Sequence, residues 1–146
     1  MGTPDARPPD ARQADAAGAP DAGAPDAQPF AAVLPLPATS CTPIEYEGNA
    51  RPQLLLASDL PVTGFSQLSI RQINNAIRYE LRTRGWKAGP YHVAFQACDD
   101  SLAGESWDGE KCEANARAYA ANPAVVGVVG TFNSGCAGLV LSLIHI

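Results

Sequence analysis

The sequence predicts an α/β protein, a doubly wound parallel sheet in three layers with a disordered linker ahead of it. Three observations lead there. Short apolar runs recur at Leu54–Ala57, Val93–Ala97 and Val125–Gly130. The last is unbroken and β-branched, the pattern of a strand buried on both faces. The stretches between the runs carry apolar residues at helical spacing. Strand, helix, strand, helix, strand is then the order, and such an order closes through right-handed crossovers that put helices on both faces.

Residues 1–40 are read as the linker. Ala, Pro, Asp and Gly dominate them, and Pro-Asp-Ala recurs at 4–6, 9–11, 20–22 and 25–27. A segment with so little bulky apolar surface cannot offset the entropy of ordering itself. A linker implies something before it, so Met1 is read as an internal position. No secretory leader is visible, because Pro35 and Pro37 interrupt the short apolar run Phe30–Leu34. Ala38-Thr39-Ser40-Cys41 lacks the aliphatic residue and the long apolar run of a lipid-attachment site.

The composition changes at Cys41, and residues 41–140 are read as the folded part. Leu54–Ala57 is the first strand, and Asp59–Gly64 is a loop punctuated by Pro61 and Gly64. Ile70, Ile73, Ile77 and Leu81 form one stripe of a helix that Gly85 terminates. Val93, Phe95 and Ala97 alternate with His92, Ala94 and Gln96, a second strand ending at Cys98-Asp99-Asp100. Residues 101–107 are loop, and Asp108 caps a second helix with Glu110 in its first turn. Cys112, Ala116, Tyr119 and Ala120 make its inner stripe, and Asn122-Pro123 stops it. Val125–Gly130 follows, then the small and polar loop Thr131–Gly135, then a third helix from Cys136. Residues 141–146 (Leu-Ser-Leu-Ile-His-Ile) would continue that helix. They also match a translated library-adapter sequence, and are expected to be read-through beyond Val140.

Net charge is −5, with no cluster of Lys or Arg. Nucleic acid is therefore not an expected partner, and no apolar stretch approaches a membrane span. The four cysteines are Cys41, Cys98, Cys112 and Cys136. None is in a C-x-x-C pair, so no metal site is expected. An even number fits disulfides and an oxidising compartment, with buried free thiols as the other reading. Of the possible pairings, Cys98–Cys112 is favoured because it would tie the end of the second strand to the next helix. Cys41 would then have Cys136 or an outside segment as its partner, and Cys98–Cys136 is the rival.

Chemistry concentrates where strands end and helices begin. In open α/β sheets ligands bind there, and a helix start offers unpaired N–H groups and partial positive charge. Phe132–Cys136 is the loop so placed. Asp99 and Asp100 are read as loop and cap acceptors, and Trp107 as a packing residue. An enzyme is not expected. No G-x-G-x-x-G follows the first strand and no G-K-[ST] follows any strand. His92 lies inside a strand and His145 in the adapter-like tail, so no Ser/His/Asp set can be assembled, and no cofactor is expected.

Residues from about Pro52 to Val140 resemble the start of a type I periplasmic-binding-protein domain. The likeness is to the branched-chain amino-acid branch of ABC-transporter substrate-binding proteins. It is carried by Ala57–Gly64, by Asn75-Ala76-Ile77, by Cys98-Asp99-Asp100, and most by Val126–Gly135. It covers only the first half of one lobe. The resemblance implies an extracytoplasmic protein that captures an amino acid or similar small polar carboxylate and serves a membrane permease. It implies that Ser134 contacts the ligand beside backbone N–H groups of Asn133 and Gly135, and that Phe65 lines the cleft. Gly135-Cys136 departs from relatives that carry more hydroxyl residues there. A ligand-sensing ectodomain joined by the linker to an upstream signalling domain is the alternative.

Overall fold

The computed structural model describes residues 32–102 and 107–144. Residues 1–31 of the expected linker, His145 and Ile146 fall outside them. The elements are β1 (Leu54–Leu60), α1 (Gln67–Thr83), β2 (Lys87–Ala88), β3 (Tyr91–Asp99), α2 (Gly109–Ala121), β4 (Val125–Gly130) and α3 (Ser134–Ile144). The architecture is α/β with an open sheet in the order β2-β3-β1-β4. β1 lies parallel to both β3 and β4.

The alternation of side chains along β1 and β3 sets the layers. Leu54, Leu56, Val93, Phe95 and Ala97 face α1, where they pack with Ile77, Leu81 and Trp86. Leu55, Ala57, Ala94 and Cys98 face the other way and pack with Tyr119 of α2. α3 lies against α2 through Cys112, Ala116, Cys136 and Val140. The helical stripe expected at 70–81 is the inner face of α1, with Ile70 fully buried. Gly85 ends it at φ +61°, a conformation glycine adopts without steric cost. Asp108 caps α2 as the sequence indicates, its carboxylate accepting from Lys111 N at 2.8 Å. Within α2 the buried residues are Cys112, Asn115, Ala116 and Tyr119, so Asn115 replaces Ala120 on the inner face.

Several expectations are corrected. The sheet is mixed, not purely parallel. β2 folds back on β3 through a Gly89-Pro90 turn and pairs with it antiparallel. Residues 40–45 also run antiparallel beside β3, with Thr42 N donating to Ala97 O at 2.9 Å and Glu45 N to Phe95 O at 2.8 Å. The linker does not extend to residue 40. Leu36 is buried in the α2-side core, and its N–H donates to Gln96 Oε1 at 2.8 Å. Cys41 N then donates to Pro37 O, turning the chain onto β3. Glu45 anchors the same segment to α1 through a two-point pair with Arg78, at 2.6 and 2.7 Å.

β4 is not buried on both faces. It is an edge of the described sheet, so Val126 and Val129 remain 57% and 37% exposed. Its apolar run is that of an interior strand, yet its outer side pairs with no described strand. Leu141–Ile144 continue α3, and Leu143 packs against the α2–α3 cluster.

All four cysteines form disulfides, but Cys98 bonds to Cys41, and Cys112 to Cys136. Cys98–Cys112 fails because the edge segment places Cys41 directly across from Cys98, with Cα atoms 4.0 Å apart. Cys112, in the first turn of α2, instead meets Cys136 in the first turn of α3, at 5.5 Å. Such bonds persist in oxidising, extracytoplasmic compartments. No helix among the described residues is long and apolar enough to cross a membrane.

Candidate functional site

The sheet order brings two strand-to-helix loops to one edge. From central β1 the chain crosses by α1 to β3 on one side, then by α2 to β4 on the other. The C-terminal ends of β1 and β4 adjoin, with Asp59 opposite Gly130 in register. Their loops, 61–66 and 131–133, diverge toward different helices. A reversal of strand order of this kind is where open α/β sheets hold ligands.

The predicted ligand residues sit at this edge. Ser134 opens α3 and is exposed, as is Gly135. Asn133 O accepts from Ala137 N at 3.0 Å, so Asn133 occupies the cap position and Ser134 is the first helical residue. Thr131 Oγ1 donates to Asn133 O at 3.0 Å and folds the loop toward the helix start. Phe132 is 49% exposed. Gly135 is required sterically, because a Cβ there would overlap the Trp107 ring. Trp107 is thus a floor for the loop, in keeping with a packing role. Phe65 follows Gly64, whose φ is +85°, and stands fully exposed beyond β1. It shares the strand-end edge with Ser134 through topology, and the described residues show no wall formed by its ring.

Asp99 is the clasp of the neighbouring loops. Its Oδ1 accepts from Val62 N at 2.9 Å and from Ser101 N and Oγ at 3.0 and 2.6 Å. Its Oδ2 accepts from Lys111 Nζ at 2.9 Å. Burial opposes ionisation, but these donors prevail and hold its carboxyl below the usual range. Thr63 joins the same clasp through Ser101 Oγ at 2.7 Å. The acceptor role expected of Asp99 is the one observed.

Beneath the loops lies a polar cluster that the sequence reading passed over. Asp59 is not a loop residue but the buried sixth residue of β1. Its Oδ1 accepts from Asn115 Nδ2 at 2.8 Å and from Tyr119 OH at 3.0 Å. Burial raises its carboxyl above the ordinary range, against the pull of those two donors. Burial likewise raises the Tyr119 hydroxyl, with the Asp59 charge adding to it. Ser58 Oγ donates to buried Asn74 Oδ1 at 2.7 Å on the α1 side. The signal was present: Ser58 and Asp59 continue the apolar run Leu54–Ala57 without a turn residue, so their polarity is enclosed.

Asp100 behaves differently from its neighbour. It is fully buried, and neither carboxylate oxygen has a hydrogen-bond partner among the described residues. Burial, then the charges of Asp59 and Asp99, push its pKa to about 7. It lies against the Cys112–Cys136 disulfide. His92 Nδ1 is hydrogen-bonded with Tyr46 OH at 2.7 Å. Comparison with protein-family models, curated proteins and solved structures returns no match. Fold and cysteines define a class only: an open, mixed α/β sheet that is disulfide-bonded.

Proposed function

We propose that the chain is part of an extracytoplasmic solute-binding protein. It captures a small polar carboxylate, an amino acid or a close relative, at the strand-end loops and serves a membrane permease. It works by binding, without catalytic chemistry. The observation that carries this reading is the reversal of strand order at β1 and β4. It sets the start of α3, at Ser134, over the C-terminal edge of a parallel sheet. Ser134 and Gly135 lie in the first helical turn, whose N–H groups have no intrahelical acceptor and favour an anion by about 0.3–1 kcal/mol, up to about 2 when partly enclosed. The exposed Ser134 hydroxyl adds a directional donor, and Phe132 and Phe65 supply apolar surface at the same edge. The resemblance of Val126–Gly135 to branched-chain amino-acid binding proteins supports the same choice of ligand. The paired cysteines support an oxidising compartment.

Calorimetric titration of the chain with L-leucine, L-glutamate and acetate tests this. Saturable heat with an amino acid, weakened in Ser134→Ala, is expected. Equal weak heats from all three, unchanged in the variant, would refute it.

A further inference from the structure

The Cys112–Cys136 disulfide has an unusual neighbour for a structural crosslink. Asp100 is buried to 0% exposure, and both of its oxygens lack a hydrogen-bond partner among the described residues. A carboxylate enclosed in that way is costly unless something compensates it. Asp59 and Asp99 each bind donors from surrounding elements, and Asp100 does not. What Asp100 does face is sulfur. One carboxylate oxygen and the two Sγ atoms lie mutually within 4.8 Å, and all three residues are buried. A second carboxylate is also in reach, because Asp59 Oδ2 is 3.9 Å from Cys136 Sγ.

These distances suit a tetrahedral cation once the sulfurs part. Zinc holds thiolate at about 2.3 Å and carboxylate at about 2.0–2.2 Å, which places neighbouring ligand atoms roughly 3.5–3.8 Å apart. An Asp100 oxygen lies within 4.8 Å of both sulfurs, so it has to draw in by about an ångström to reach that spacing. The two cysteines sit in the first turns of α2 and α3, so a small separation of these helix ends opens the space between the sulfurs. Two thiolates with one or two carboxylates form a mixed sulfur and oxygen set suited to zinc and unsuited to magnesium or calcium.

We infer that reduction of Cys112–Cys136 converts this spot into a zinc site held by Cys112, Cys136 and Asp100. A dithiol reductant supplies the two electrons. One of its thiolates attacks a sulfur of the disulfide and releases one cysteine; the other then attacks the reductant's sulfur in the mixed disulfide and releases the second cysteine, so the reductant leaves as its own disulfide. Cys112 and Cys136 are released as thiols. Zinc then displaces their two protons, which pass to solvent, and forms two metal–thiolate bonds. The buried Asp100 charge, unpartnered in the oxidised chain, becomes a ligand. The same spot is thus a crosslink in oxidising conditions and a metal site in reducing ones. In both forms it pins the start of α3 to α2.

The test uses the full chain. It is reduced with a phosphine, freed of the phosphine without air, and titrated with cobalt(II) and then zinc. One equivalent of cobalt should produce sulfur-to-metal charge-transfer bands and intense tetrahedral d–d bands, which zinc abolishes. The oxidised chain should produce neither. Asp100→Asn should weaken cobalt binding by about tenfold or more, the loss that even a residue supporting a ligand causes. Alkylation followed by peptide mapping of the unaltered chain gives an answer that does not depend on the variant's folding. Zinc should protect Cys112 and Cys136 and leave Cys41 and Cys98 reactive. Absence of charge-transfer bands, protection of Cys41 and Cys98 instead, or undiminished binding in Asp100→Asn would overturn the inference.

Discussion

Replacing Asp100 by Asn should stabilise the oxidised protein at alkaline pH and flatten its pH dependence. Asp100 is enclosed without a side-chain donor among the described residues, near Asp59 and Asp99, and Lys111 opposes their charge. Its pKa stands at about 7 against 3.8 for a free side chain. A carboxyl raised in the folded state holds its proton more tightly there. That contribution is complete below about pH 4 and is lost as pH rises through about 7. A rise of about three units corresponds to a ceiling of about 4 kcal/mol. Screening by water and the coupled response of Asp59 and Tyr119 reduce the expected figure to about 2 kcal/mol. The assay is urea unfolding followed by Trp fluorescence at pH 4.5 and pH 8, with chelator present. The wild type should lose stability between the two values. Asp100→Asn should lose less and exceed the wild type at pH 8 by about 2 kcal/mol. An Asn variant that is less stable than the wild type at pH 8, or one with an unaltered pH profile, would refute the placement of Asp100 as an enclosed, unpartnered acid.

Other consequences follow from the packing. Non-reducing digestion should yield Cys41 joined to Cys98 and Cys112 joined to Cys136. Replacing the second pair by Ala should cost about 3.5 kcal/mol for the loop it closes, and a peptide joining Cys98 to Cys112 would contradict the structure. Leu36→Ala should destabilise by about 2–3 kcal/mol in the same unfolding assay, whereas a wholly unstructured segment before Cys41 would make it neutral. Gly130 has φ +141°, and a Cβ there would overlap Asp59 O, whereas Gly138 has nothing within 4 Å. Gly130→Ala should therefore lower the melting temperature, and Gly138→Ala should raise it through helix propensity worth about 0.5–1 kcal/mol.

The elements with strong periodicity were legible in the sequence, and those fixed by long-range pairing were not. Ile70, Ile73, Ile77 and Leu81 announce α1 because one helical face is all that must be satisfied. Asp108 announces the start of α2 because a cap is a local hydrogen bond. The docking of residues 36–45 on β3 depends instead on bonds between residues more than fifty positions apart, such as Leu36 N to Gln96 Oε1. Nothing within the Ala- and Pro-rich stretch signals it. The disulfides follow from that same pairing, since Cys41 reaches Cys98 only because the edge segment lies there. Val125–Gly130 has an interior strand's composition and an edge strand's exposure, since composition reports what a strand can bury and not what covers it. At the site, a helix after the small and polar loop was readable, but it was expected from Cys136 and begins at Ser134, because Asn133 O accepts from Ala137 N and caps it two residues earlier. The buried Asp59–Asn115–Tyr119 set was not, because its members come from β1 and α2 and meet only in the folded sheet.

The central claim is that the loop opening α3 receives a ligand carboxylate, and amide-resolved NMR of the labelled chain during titration with L-leucine tests it most directly. Saturable shifts confined to Thr131–Cys136 and to the facing loop Val62–Gly64 are predicted, with a dissociation constant near the millimolar range, about 4 kcal/mol of binding. Shifts absent at saturating ligand, or confined to the β2–β3 hairpin, would contradict the account.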